Sequence, residues 1–259
     1  EIMAWMNDEF MKISGDTTGA TFTGKPLDKG GSEGRGAATG LGGFYVFDVL
    51  RSLYGVQDGA SIVIQGFGNV GGNAAEIFTA HGYKVIAMSD SKGGIVKDDG
   101  LDVKALEAWK KETGALAGFP GSRIVTNAEL LELPCDVLIP AALENQITNE
   151  NAGKIQAKFV LELANGPITP EADEILYGKG IPVVPDILAN SGGVTVSTFE
   201  WEQNLKGEHW SETDVNAKLK EILDREARTI HEKSVSAKTD LRRAAFIVAM
   251  ERLATAMGY

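Results

Sequence analysis

The stretch SIVIQGFGNVGGNAAEIF holds the residues of this chain best spaced to act on a ligand. Gly66, Gly68 and Gly71 form a G-x-G-x-x-G turn between an apolar run and a helix-period segment. In a strand–turn–helix unit the first glycine permits the tight turn, the second lets a pyrophosphate approach the backbone, and the third allows close helix–strand packing. The phosphates then meet unpaired N–H groups at the positive end of the helix dipole. Phe67, Asn69 and Val70 complete the turn and belong to the same candidate site. The next apolar run ends at Asp90, roughly 20 positions beyond the last glycine, where a carboxylate reaches a ribose 2′-hydroxyl. That charge favours NAD, since the 2′-phosphate of NADP would sit against it. Ser91 and Lys92 follow at once, however, and can donate to such a phosphate. The residues leave NAD and NADP open, with a lean to NAD or dual use. Glycines serving only a turn are the competing reading, which the strand, the helix and Asp90 together disfavour.

A turn of this kind needs a scaffold, and the remaining pattern describes one. SIVIQ (61–65), KVIAMS (84–89), DVLIP (136–140), KFVLEL (158–163) and IPVV (181–184) are nearly unbroken apolar runs, as strands buried on both faces are. Helix-period segments such as NAAEIFTAHG and LDVKALEAWKKETG lie between them. The alternation predicts an α/β fold: a Rossmann-type, doubly wound, mostly parallel sheet with flanking N- and C-terminal helices. At the N-terminal flank, Ile2, Met3, Met6, Phe10 and Ile13 recur at helical spacing before Gly15. At the C-terminal flank, Ser211 and Asp214 have capping-box spacing, and Val215, Leu219, Ile222, Leu223 and Ile230 share one face. The last helix, over 240–257, is apolar almost all round and needs cover on several sides. Phe199 and Trp201 read as core packing.

The 259 residues carry a net charge of −11, which argues against a nucleic-acid partner. No apolar run approaches the ~20 residues that cross a bilayer, so no membrane partner is expected. The single cysteine, Cys135, cannot form an internal disulfide. It reads as a small core residue in a reducing, cytoplasmic setting, with no metal partners beside it.

TGKPLDKGGSEGRGAATGLG, GFGNVG, PAALENQI, ELANGPITPEAD and PDILANSGGVTVSTFEWEQN occur in that order along the chain. Together they resemble the hexameric-type glutamate dehydrogenases; leucine- and phenylalanine-type dehydrogenases share the cofactor fold but not the FEWEQN ending. The resemblance implies that Thr39 and Asn69 hydrogen-bond the nicotinamide carboxamide and its neighbourhood, and that Asn165 and Asn190 line the cofactor and substrate cleft. It places Ala141 and Ala142 beneath the adenosine and ribose, and Arg35 among the cofactor contacts. Val194 and Ser197 would form the wall against the glutamate side chain, with the Ser197 hydroxyl donating to its γ-carboxylate. Read without the resemblance, Thr39 and Ser197 are helix hydroxyls bonded to their own backbone, and Asn165 and Asn190 are turn residues before glycine or serine.

The same resemblance implies oxidative deamination of L-glutamate to 2-oxoglutarate and ammonia with NAD or NADP, by a parent homohexamer. The family's polarising lysine and proton-shuttling aspartate come from an N-terminal domain, and no segment here matches their motifs. The expectation is therefore a cofactor domain that is catalytically incomplete alone, as monomer or dimer. Residues 1–22 would be a remnant helix and linker, 23–205 the NAD(P)-binding domain, and 206–259 C-terminal helices packed back on it. A non-catalytic dinucleotide-binding module and an assembly protein are the alternatives.

Overall fold

The computed structural model describes residues 1–259. In chain order the elements run α1 (Ile2–Ser14), α2 (Ala38–Leu50), β1 (Ser61–Gln65), α3 (Asn69–Ala80), β2 (Lys84–Asp90), β3 (Gly93–Val96), α4 (Val103–Thr113), β4 (Arg123–Val125) and α5 (Asn127–Leu131). They continue with β5 (Val137–Pro140), β6 (Phe159–Leu161), α6 (Pro170–Gly178), β7 (Val183–Val184), α7 (Asp186–Ala189), α8 (Gly192–Lys206), α9 (Glu212–Ala237) and α10 (Leu241–Ala256). One seven-stranded sheet runs in the order β4-β3-β2-β1-β5-β6-β7. The five strands expected from the apolar runs are all present and pair in parallel.

Two further strands were not anticipated. After Asp90 the chain turns back through Ser91 and Lys92, and β3 and β4 add antiparallel to the sheet edge. Gly93, at φ +140°, provides a backbone geometry that a side chain would strain, and the Asp90 carboxylate accepts the Lys92 N–H at 2.8 Å. The short, glycine-containing GGIV run carries too little periodicity to be read as a strand.

Alternation along β1 divides the core. Ile62 and Ile64 face a cluster with Phe47, Phe78, Phe159 and residues of α8, α9 and α10, while Val63 faces Leu130, Leu138, Ile147, Val160 and Leu176. Cys135 belongs to the second cluster. Burial pushes its thiol up to about 12, the neighbouring Asp136 carboxylate adding to the shift. The reactive thiolate is therefore suppressed. Native chain should resist iodoacetamide in mildly alkaline buffer and be alkylated at once in denaturant, as read by intact mass. Equal rates in both would show that the segment leading into β5 opens readily.

The helical flanks depart from expectation in their cover. α1 forms and ends at Gly15 in a left-handed cap, yet Ile2, Trp5, Met6 and Ile13 are exposed. α10 buries only Leu241, Ala244, Ala245 and Val248, leaving Phe246, Met250, Leu253 and Met257 in solvent. Trp201 is 46 % exposed, so its assignment to the core is corrected: it lies on the outer face of α8, whereas Phe199 packs inward against Trp210. α9 buries Val215, Leu219, Leu223 and Ile230 on one face as expected, with Ser211 accepting from the Asp214 N–H.

Candidate functional site

The glycine-rich turn separates structural glycines from one that the fold itself does not need. A Cβ on Gly71 would lie 1.9 Å from the Gly66 carbonyl oxygen, so helix α3 can follow β1 this closely only without a side chain there. Gly66 has φ +101°, and a Cβ would press on Ala141 O and Ala142 Cβ at 3.0 Å each. Ala141 and Ala142 therefore stand directly beside the turn. Gly68 differs: its φ of −95° suits any residue, and a Cβ would meet nothing within 4 Å. It precedes α3, whose N-terminus has no side-chain cap. Helices α4, α5, α6, α9 and α10 are capped by Asp102, Thr126, Thr169, Ser211 and Asp240, whereas α1, α2, α7 and α8 share the uncapped start. Uncapped N–H groups beside bare, open backbone can donate to an anion. Phe67 turns inward, with the Lys110 ammonium 2.6 Å from its carbonyl oxygen and over its ring, and Val70 packs against the core.

At the end of β2 the Asp90 carboxylate is already occupied by backbone. One oxygen accepts from Lys92 N at 2.8 Å and the other from Leu116 N at 3.0 Å. Ser91 and Lys92 are exposed at the tip of this hairpin. Ser89, buried one residue earlier, accepts the Gly66 N–H and donates to Asn127, and so ties β2 to the glycine-rich turn.

The opposite wall is assembled around α2. Its glycines permit contact on three sides. A Cβ on Gly40 would sit 3.0 Å from Ala74 N of α3, one on Gly42 2.8 Å from Gly192 Cα of α8, and one on Gly43 2.4 Å from Leu163. Glycine inside a helix costs about 1 kcal/mol relative to alanine, and here close approach to three neighbours explains it. Thr39 thereby lies against Gly193, where a Cβ would be 2.6 Å from its hydroxyl. Asn69, at the start of α3, donates to Gly36 O at 2.9 Å. Thr39 and Asn69 thus occupy neighbouring helix starts.

Helix α8 explains the STFEWEQN stretch. Ser197, Glu200, Gln203 and Asn204 share one face, and each holds part of the loop before α2. Glu200 accepts from the backbone N–H of Gly24 and Lys25 and from the Lys25 ammonium at 2.9 Å, with both side chains buried. Gln203 donates to Ser32 and Asn204 to Gly30 O. Ser197 accepts from Arg35 Nε at 2.9 Å. Its hydroxyl proton is thereby left to donate elsewhere, unlike Thr195 and Thr198, which bond back to their own helix. Arg35 accordingly stands with Ser197, and its guanidinium also lies beside Gly193, against which Thr39 packs. Val194 is exposed one turn earlier on α8.

Asn165 and Asn190 meet directly: Asn190 Nδ2 donates to Asn165 Oδ1 at 2.7 Å and to Ala164 O at 3.3 Å. Beneath them lies an ion cluster that sequence reading missed. Glu162, with no exposed side-chain surface, pairs with Arg242 of α10 at 2.7 Å, and Arg242 also holds Asp173 and Asp186. Burial pushes the Glu162 carboxyl up to about 7 against the pull of Arg242. The ELAN stretch was the available signal, since a glutamate inside an apolar strand run requires a partner.

The sequence profile of the Glutamate/Leucine/Phenylalanine/Valine dehydrogenase family matches residues 30–259. An NADP-specific glutamate dehydrogenase of Synechocystis sp. is 45% identical, over 99% of this chain and 62% of its own length. The hetero-hexameric glutamate dehydrogenase of Thermus thermophilus, in its Leu-bound form, superposes with a TM-score of 0.91 at 36% identity, over 97% of this chain and 60% of that one. Glutamate dehydrogenase of Peptoniphilus asaccharolyticus gives a TM-score of 0.83 at 37% identity, over 99% and 61%. The chain thus spans about 60% of the length of these relatives. No helix is long and apolar enough to cross a membrane. On the match over residues 30–259 and the identity across its length, the chain belongs to the Glutamate/Leucine/Phenylalanine/Valine dehydrogenase family.

Proposed function

We propose that this chain is the dinucleotide-binding part of an NAD(P)-dependent glutamate dehydrogenase. The observation that carries the reading is Gly68, a bare residue over open space at the uncapped start of α3 that the fold does not itself require. Gly66 to Gly71 would hold the pyrophosphate, Ala141 and Ala142 the adenosine, and Thr39, Asn69, Asn165 and Asn190 the nicotinamide end. The nicotinamide ring supplies hydride transfer, here to or from the α-carbon of glutamate. The residues of this chain supply orientation. Arg35 and Ser197 present donors to the distal carboxylate of glutamate or 2-oxoglutarate, and Val194 adds an apolar wall.

Both NADP and NAD are taken as ligands, without the lean to NAD. The case for NAD rested on a bare charge at Asp90, and that carboxylate is instead engaged by two backbone N–H groups beside Ser91 and Lys92. The similarity to an NADP-specific enzyme points the same way. In the whole enzyme the assembly would be a hexamer.

Taken alone, the chain is expected to bind cofactor without turning over glutamate. The polarising lysine and proton-shuttling aspartate have no matching motif here, and acid–base help of that kind is worth about 10²–10⁴-fold. Calorimetric titration with NADPH and NADH, paired with glutamate-dependent reduction of NADP and NAD, tests both halves. Saturable binding without turnover is the expected pair of results. Absence of binding would remove the site assignment, and turnover abolished by Ser197→Ala would show that the catalytic groups are present.

A further inference from the structure

The Asn165–Asn190 pair lies at one end of a series of hydrogen bonds, joined by short backbone links, that begins on the last helix. Arg242 Nη2 donates to Glu162 Oε1 at 2.7 Å. The other oxygen of Glu162 accepts the Asp186 N–H at 2.7 Å. Asp186 in turn accepts the Gly166 N–H at 2.8 Å and the Ile187 N–H at 2.7 Å. Gly166 follows Asn165 along the backbone, Asn190 Nδ2 donates to Asn165, and the Asn190 N–H closes the ring by donating to Asp186 O at 3.0 Å. The two asparagine-bearing loops, after β6 and after β7, therefore share one anchor.

We propose that Arg242 is a positioning residue for the nicotinamide end of the cofactor site, acting through Glu162 and Asp186 to hold Asn165 and Asn190. Three features support a directed role. Arg242 is committed to three carboxylates from three elements: Glu162 after β6, Asp173 in α6 and Asp186 in α7. A planar guanidinium reaches all three at once, which a lysine ammonium does not. Glu162 has no exposed surface and its second oxygen is spent on the Asp186 backbone, so the pair fixes backbone position as well as charge. Finally, loss of Arg242 would leave a buried carboxylate without its counter-charge at the centre of the two loops.

This proposal rests on the reading of Asn165 and Asn190 as nicotinamide residues, and the test separates the two. Calorimetry on this chain compares NADPH with 2′-phospho-ADP-ribose, which has the adenosine half and pyrophosphate but no nicotinamide. Wild type should bind the dinucleotide about tenfold more tightly. Asn165→Ala and Asn190→Ala should each erase much of that gain. Arg242→Met should erase it too, while its affinity for 2′-phospho-ADP-ribose stays within about twofold. A merely structural loss would weaken both ligands together, and that outcome overturns the proposal. So does an Arg242→Met chain that keeps the full gain. Failure of the asparagine variants to reduce the gain removes the underlying reading, and the proposal falls with it. If Arg242→Met does not fold, Arg242→Lys makes the same comparison. Hydrogen exchange then reports directly: residues 162–191 should lose protection while 61–80 do not, and unchanged protection in both would overturn the assignment.

Discussion

Replacing Gly68 with valine is expected to abolish dinucleotide binding while leaving the fold intact. The backbone there is extended and a Cβ meets no protein atom within 4 Å. Valine tolerates that conformation, so stability should change by no more than about 0.5 kcal/mol. The side chain would instead fill the space over the start of α3 that the pyrophosphate needs. The expected loss is at least ~100-fold in affinity, about 2.7 kcal/mol. Calorimetric titration with NADPH and a thermal melt of the same sample measure both quantities. Unchanged affinity would mean that the anion does not sit at this turn. Gly71→Val provides the contrast, because a Cβ 1.9 Å from the Gly66 carbonyl must push α3 away from β1. Its melting temperature should fall along with binding.

The second large effect is expected at Glu200. Its carboxylate serves the Lys25 ammonium and two backbone N–H groups, and neither charged side chain reaches solvent. Glu200→Ala leaves the ammonium without its counter-charge, bonded only to the Phe22 carbonyl oxygen, and the two N–H groups without an acceptor. Breaking a buried pair from one side costs about 3–5 kcal/mol, which for a chain of this size lowers the melting temperature by roughly 10 °C. Lys25→Met combined with Glu200→Gln removes both charges and retains a side-chain acceptor, so it should recover most of the loss. The measurement is denaturant unfolding of the two variants beside wild type. A Glu200→Ala chain as stable as wild type would show that the loop over 24–35 is not held to α8 by this pair. That loop carries Arg35, so the same variant should also disturb its contact with Ser197.

Unbroken apolar runs identified the five parallel strands because strands buried on both faces have no other composition available. The glycine-rich turn was legible for a related reason: the geometry needs bare backbone, and only one residue type has it. The family resemblance was legible in contiguous motifs. By itself, then, the sequence determined the five parallel strands of the sheet, the glycine-rich turn and the helix that follows it.

What only the tertiary structure decided depends on residues distant along the chain. Nothing local to Asp90 shows that the backbone of Leu116 returns to bind its second oxygen, and that contact changes the case for NAD. The antiparallel edge of β3 and β4 was hidden because short strands carry little pattern. The exposed apolar rows of α1 and α10 look like core in sequence, since composition records what a residue prefers and not what covers it. Arg35 joins Ser197, and Arg242 joins Glu162, across separations that no spacing rule spans. A buried charge tells the reader that a partner exists, because desolvation would otherwise forbid it. Which residue that partner is follows from how the helices pack on the sheet, and only the folded chain decides it.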